Sequence, residues 1–68
     1  MKDIKINTEF IKLDSFLKWV GAVSLGSEAK MVIQDGMVIV NGEVETRRGK
    51  KIIKGDTIEF NGETYTII

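Results

Sequence analysis

The chain has 68 residues, 43% hydrophobic and 29% charged, with neither cysteine nor histidine. It is one small domain, too short for a multidomain enzyme, without a disulfide framework and without the thiolate and imidazole ligands of a structural zinc site. Ten basic residues balance ten acidic ones, but unevenly: Arg47, Arg48, Lys50, Lys51 and Lys54 lie between Thr46 and Lys54 with no acid among them, while five lysines against seven acids precede that stretch and three acids follow it.

No apolar run approaches the roughly 20 residues that span a bilayer, and Met1-Lys2-Asp3-Ile4-Lys5 alternates charge with Ile instead of opening a signal peptide. A cytoplasmic protein with no membrane association is expected. Ile4-Lys5-Ile6-Asn7 has the period of a short strand with Ile4 and Ile6 on one face. From Lys12 the period changes: Leu13, Phe16, Leu17 and Val20 fall on one helix face, and Gly21 ends that helix. A second helix is expected from Ser27 to Asp35, with Ser27 as N-cap, Glu28 in the first turn, Ala29, Val32 and Ile33 facing the core, and Gly36 as the left-handed exit.

Beyond Gly36 the pattern is that of a sheet. Met37-Val38-Ile39-Val40 leads into Asn41-Gly42, the dipeptide suited to a type I′ turn, with Glu43-Val44-Glu45 as the return strand. The basic stretch forms a loop around Gly49, and Ile52-Ile53 re-enters the core before the Gly55-Asp56 turn. Thr57-Ile58-Glu59-Phe60, Asn61-Gly62 and Glu63-Thr64-Tyr65-Thr66-Ile67-Ile68 make a second hairpin. The fold class is α+β, with two short helices packed on a small, mostly antiparallel sheet.

Most short motifs carry no chemistry. Ser15-Phe16-Leu17-Lys18 and Ser27-Glu28-Ala29-Lys30 match S-x-x-K, but the other parts of a penicillin-recognising site are absent. Gly49-Lys50-Lys51 lacks the Ser or Thr and the following helix of a phosphate loop. Glu43 and Glu45 share one face of a strand, where solvation explains them better than acid/base work. The basic loop has more content: five cations in nine residues repel one another, whereas a polyanion approaching them releases counterions for each phosphate neutralised. Trp19 falls off the apolar helix face, where packing against the sheet edge is favoured over stacking on a base.

Lys12-Leu13-Asp14-x-x-Leu17, Ala29 in a second helix, Gly36-x-Val38-x-Val40-Asn41-Gly42 and Gly55-Asp56-x-Ile58 together resemble the RNA-binding domain named after small-subunit ribosomal protein S-four, also called the alpha-L motif. The match covers about residues 12–60 of a single domain spanning 1–68. Gly26-x-x-Ala29-Lys30, Val40-Asn41-Gly42-Glu43 and Glu45-x-Arg47-x-x-x-Lys51 are similar to the small stand-alone bacterial proteins of the YbcJ/YaaA type.

The resemblance implies a bent sheet under two helices, no catalysis, no cofactor, and a monomer that binds structured ribosomal or transfer RNA. It assigns phosphate contacts to Lys12, Lys30, Arg47, Arg48, Lys50 and Lys51, with Lys18, Gly26, Ser27 and Lys54 as further candidates, and gives Asp14 a role in organising the first helix. Many members carry Ser-Arg where this chain has Leu25-Gly26; backbone N–H groups at Gly26 are an alternative anion contact. A module that docks on a protein of a ribosome, replication or repair complex is the competing expectation.

Overall fold

A computed structural model describes residues 1–68, with the elements β1 (Lys2–Ile4), β2 (Ile11–Lys12), α1 (Leu13–Trp19), α2 (Gly26–Gln34), β3 (Val38–Val40), β4 (Glu43–Val44), β5 (Lys51–Ile52), β6 (Thr57–Phe60) and β7 (Glu63–Ile67). Five strands form one sheet in the order β1-β7-β6-β3-β4, antiparallel except for β1 beside β7, and β2 and β5 form a separate two-stranded ribbon.

Period-two alternation decides which sheet face is covered. Val38 and Val40 on β3, Ile58 and Phe60 on β6, and Tyr65 and Ile67 on β7 are buried, and the register sets Val38 opposite Phe60, Val40 opposite Ile58 and Ile58 opposite Tyr65. The buried Leu13, Phe16 and Leu17 of α1 and Ala29 and Ile33 of α2 lie on this face, where each large apolar side chain contributes roughly 1.5–3 kcal/mol. Phe16 meets Tyr65 edge to face, with ring centroids 5.5 Å apart. No polar or charged residue is buried.

Four local expectations are corrected. The first strand ends at Ile4, so Ile6 is buried beyond it in a connecting segment instead of pairing within it. Helix α2 is capped two residues earlier than its serine suggests: Leu25 is the N-cap and makes no side-chain cap bond, so Ser27 lies inside the first turn. Glu28 serves the start by accepting the Ser24 N–H at 2.8 Å. The return strand stops at Val44, and only Ile52 of the Ile52-Ile53 pair is buried, Ile53 being 51% exposed.

Both Asn-Gly turns have the positive φ angles that favour these residues, 52° and 84° at Asn41 and Gly42, 53° and 82° at Asn61 and Gly62. They differ in what the asparagine does. Asn41 donates through Nδ2 to Asp56 Oδ1 at 3.0 Å and accepts the Thr57 N–H at 2.9 Å, while Asp56 Oδ2 accepts the Ile53 N–H at 2.9 Å. Asn41 and Asp56 thus clasp two turns that are distant in sequence, whereas Asn61 only turns the chain. Asn41→Gly, which keeps the turn and removes the clasp, should lower stability by about 1–2 kcal/mol through its two hydrogen bonds, and Asn61→Gly by less than about 0.5 kcal/mol. Urea midpoints of the two variants make the comparison.

Candidate nucleic-acid interface

The basic segment is folded against the start of the first helix. Ile11 pairs with Ile52 and Lys12 with Lys51 across the β2–β5 ribbon. Just beyond it, the Leu13 N–H donates to Lys50 O at 2.9 Å and the Asp14 N–H to Arg48 O at 3.1 Å, so main-chain carbonyls of the loop satisfy two of the helix N–H groups that have no partner within the helix. Asp14 Oδ1 accepts the next one, from Ser15, at 2.7 Å, as its expected organising role requires.

Directly opposed residues of an antiparallel pair project to the same side. Lys12 and Lys51 therefore share one face, with Lys51 Nζ 4.8 Å from the centroid of the half-exposed Phe10 ring. Like charges placed so destabilise a ribbon by some tenths of a kcal/mol. No carboxylate lies within ion-pair distance of Lys12, Arg48, Lys50 or Lys51. Arg47, Gly49, Lys50 and Lys51 line a shallow concavity that contains no acid.

Arg47 stands apart. Its Nε and a terminal guanidinium nitrogen donate to the two carboxylate oxygens of Glu45 at 3.0 and 3.1 Å, and its backbone N–H donates to the same carboxylate at 3.0 Å. The Arg47 side-chain hydrogen bond, above all, holds the Glu45 carboxyl below its ordinary range. Sequence reading placed Glu45 on a solvated strand face; here it occupies the guanidinium fork that a phosphate would use.

The remaining candidates lie elsewhere. The Lys18 side chain passes close to Gly26, 4.0 Å from where a Cβ would stand, and Lys30 follows Gly26 by one turn on exposed α2 surface. Gly26 and Ser27 form the exposed first turn of α2, and Lys54 lies in the exposed turn after β5. The structure thus gathers Lys12, Arg48, Lys50 and Lys51 at the ribbon and Lys18, Gly26 and Lys30 near the α1–α2 junction. Trp19, expected to pack, is 56% exposed. No group of three or more acids, histidines or cysteines could hold a metal ion, and no helix is long and apolar enough to cross a membrane.

Two helices on one side of a mostly antiparallel sheet, with a cationic ribbon at the start of the first helix, define a small α+β domain. The S4 domain family model matches residues 4–68, and the chain belongs to that family. It is 41% identical over 59 residues to RlbA of Bacillus subtilis, a protein named for ribosome maturation, covering 87% of this chain and 83% of that one. It is 38% identical over 58 residues to YbcJ of Escherichia coli, named for RNA binding, covering 85% and 83%. The solution structure of Escherichia coli YbcJ, described as having an alpha-L motif involved in RNA binding, superposes with a TM-score of 0.75 at 33% identity, over all of this chain and 87% of that one. These relatives bear out the S-four resemblance and the fold class.

Because the folded Glu45 carboxyl titrates below its unfolded value, the stabilisation from its pairing is fully present above the ordinary carboxylate pKa and is lost as pH falls through the lowered folded value. The Arg47 guanidinium Nε–H signal in NMR should stay dispersed at neutral pH and collapse toward the free-arginine position only once pH falls below the ordinary carboxylate range.

Proposed function

We propose that this chain is a non-catalytic, monomeric cytoplasmic protein that binds structured RNA, ribosomal or transfer RNA, through contacts to the phosphate backbone. The observation that carries this reading is the opposition of Lys12 and Lys51 in a ribbon with no acid to offset them. A fold that sets cations side by side at a cost to itself gains when phosphates neutralise them. Lys12, Arg48, Lys50 and Lys51 are the primary contacts. Lys18 and Lys30, with the Gly26 and Ser27 backbone, extend the surface along the helices, and Lys54 borders it. Arg47 joins once Glu45 releases it.

A folded RNA suits this arrangement, since duplex RNA hides its base edges in a deep, narrow groove and is recognised mainly through phosphates and 2′-hydroxyls. The ribosome-maturation name of the Bacillus subtilis relative favours ribosomal RNA. A protein-docking reading rests on a different surface, the open sheet face, where Met37 and Val44 are exposed beside Ile39. Retention of a partner after RNase treatment would favour it.

Binding to a structured ribosomal RNA fragment tests the proposal. Four phosphate contacts predict a log affinity against log salt slope of about −3 to −4, and Arg48→Glu with Lys51→Glu should abolish most binding. A flat slope, or unchanged binding in the double variant, overturns it. Glu45→Gln frees Arg47 and should raise affinity several-fold while steepening the slope by about 0.7–0.9, measured in the same titrations.

A further inference from the structure

Beside the cationic ribbon lies an apolar cleft that phosphate binding leaves unused. It measures about 270 Å³ and is lined by Ile6, Asn7, Thr8, Ile11 and Trp19, slightly under the roughly 300 Å³ where drug-sized pockets begin. Ile6 and Ile11 belong to the core or its margin. The Trp19 indole, 56% exposed, forms the wall open to solvent. The rim is polar and braced: Thr8 Oγ1 donates to Phe10 O at 2.7 Å, fixing the turn that leads into β2. The Asn7 side chain forms no hydrogen bond within the chain.

We infer that this cleft takes one unstacked RNA base, held against the Trp19 ring and read at its edge by the Asn7 amide, while the neighbouring lysines hold the adjoining phosphates; the inference rests on the proposed RNA binding and names its substrate class as RNA with unpaired nucleotides. Three features support it. An aromatic face on a polar surface is worth about 1–3 kcal/mol to a stacked base, whichever base it is. A free amide supplies both a donor and an acceptor to a base edge. The cationic ribbon adjoins the cleft: Ile11 of its wall is followed directly by Lys12, opposite Lys51, and the groove on the other side, which Asn7 and Thr8 also line, holds Lys54 together with Glu9.

Trp19 is the only tryptophan, so intrinsic fluorescence reports on this cleft alone. The probes are an RNA hairpin with an unpaired loop and a fully paired RNA duplex of the same stem sequence. The hairpin is expected to quench Trp19, and the duplex at equal occupancy is not. Trp19→Leu, which keeps an apolar side chain and removes the π face, should weaken hairpin binding about 5- to 150-fold and duplex binding less than about twofold, with an unchanged thermal midpoint. Trp19→Phe should restore most of the loss, and Asn7→Ala should reduce discrimination between loop bases.

Equal losses for hairpin and duplex in Trp19→Leu, or an unquenched Trp19 in the hairpin complex, overturn the inference while leaving phosphate binding at the ribbon intact. If neither RNA binds the unaltered protein, the RNA reading itself falls, and the cleft assignment with it. Duplex binding by the unaltered protein separates the two cases, and its loss in the Arg48→Glu/Lys51→Glu variant locates that binding on the ribbon.

Discussion

Two main-chain hydrogen bonds, from Leu13 N–H to Lys50 O and from Asp14 N–H to Arg48 O, decide where the charge of this protein sits. A helix start leaves N–H groups that must find acceptors, and here the acceptors belong to a loop some 35 positions later in the chain. Satisfying the helix therefore brings Arg48, Lys50 and Lys51 to Lys12. Apart from the Lys51 contact with the Phe10 ring, no favourable side-chain pairing rewards the meeting. Lysines oppose each other across the ribbon, and cations gather at the end of a helix where the backbone dipole disfavours them. Backbone satisfaction and the burial of Ile52 beneath the ribbon hold in place an arrangement that side-chain electrostatics alone would disperse. Such a conflict between local charge and overall fold is expected at functional sites.

The residues that mark the family most clearly in the sequence do a different job. Asn41 and Asp56 face each other across two turns, and their side chains satisfy the backbone of Thr57 and Ile53. The Val-Asn-Gly and Gly-Asp pairs are thus signatures of the fold. They fix the start of β6 relative to the β3–β4 turn, and through Ile53 they fix the end of the cationic ribbon. The ribbon cations are positioned by the signature but are not part of it.

Legibility in the sequence followed length and period. The α1 face was readable because Leu13, Phe16, Leu17 and Val20 repeat over two turns, and the β6–β7 hairpin because alternation runs through both strands around Asn61-Gly62. The β2–β5 ribbon was not readable: two residues per strand show no period, and their pairing depends on contacts across the whole domain. Nor was the Glu45–Arg47 fork, since it forms in the irregular segment that follows the end of β4 at Val44. Ser27 misled because a helix can start without a side-chain N-cap, here with Glu28 of the first turn reaching back to the Ser24 N–H. The cations of the site were legible as a list, whereas their division into a ribbon group, a helix-junction group and a paired arginine required the fold.

Zero net charge, which in the sequence argues against a polyanion partner, acquires a different meaning once charges are placed. Arg47 is paired with Glu45 and Lys2 with Glu63, whereas Lys12, Arg48, Lys50 and Lys51 have no carboxylate within ion-pair distance. The charges balance in number but not in place. Beyond a screening length of about 8–10 Å such a distribution exerts orientation more than attraction, so the chain is not drawn to every polyanion as a uniformly basic domain is. On the proposed RNA reading, binding must then be won at contact, where the number of phosphates within reach of the ribbon and the fit of neighbouring surface would decide the outcome. A partner whose backbone bends to meet Lys12, Lys50 and Lys51 together is favoured over a straight one with the same charge, because only the former satisfies every cation at once.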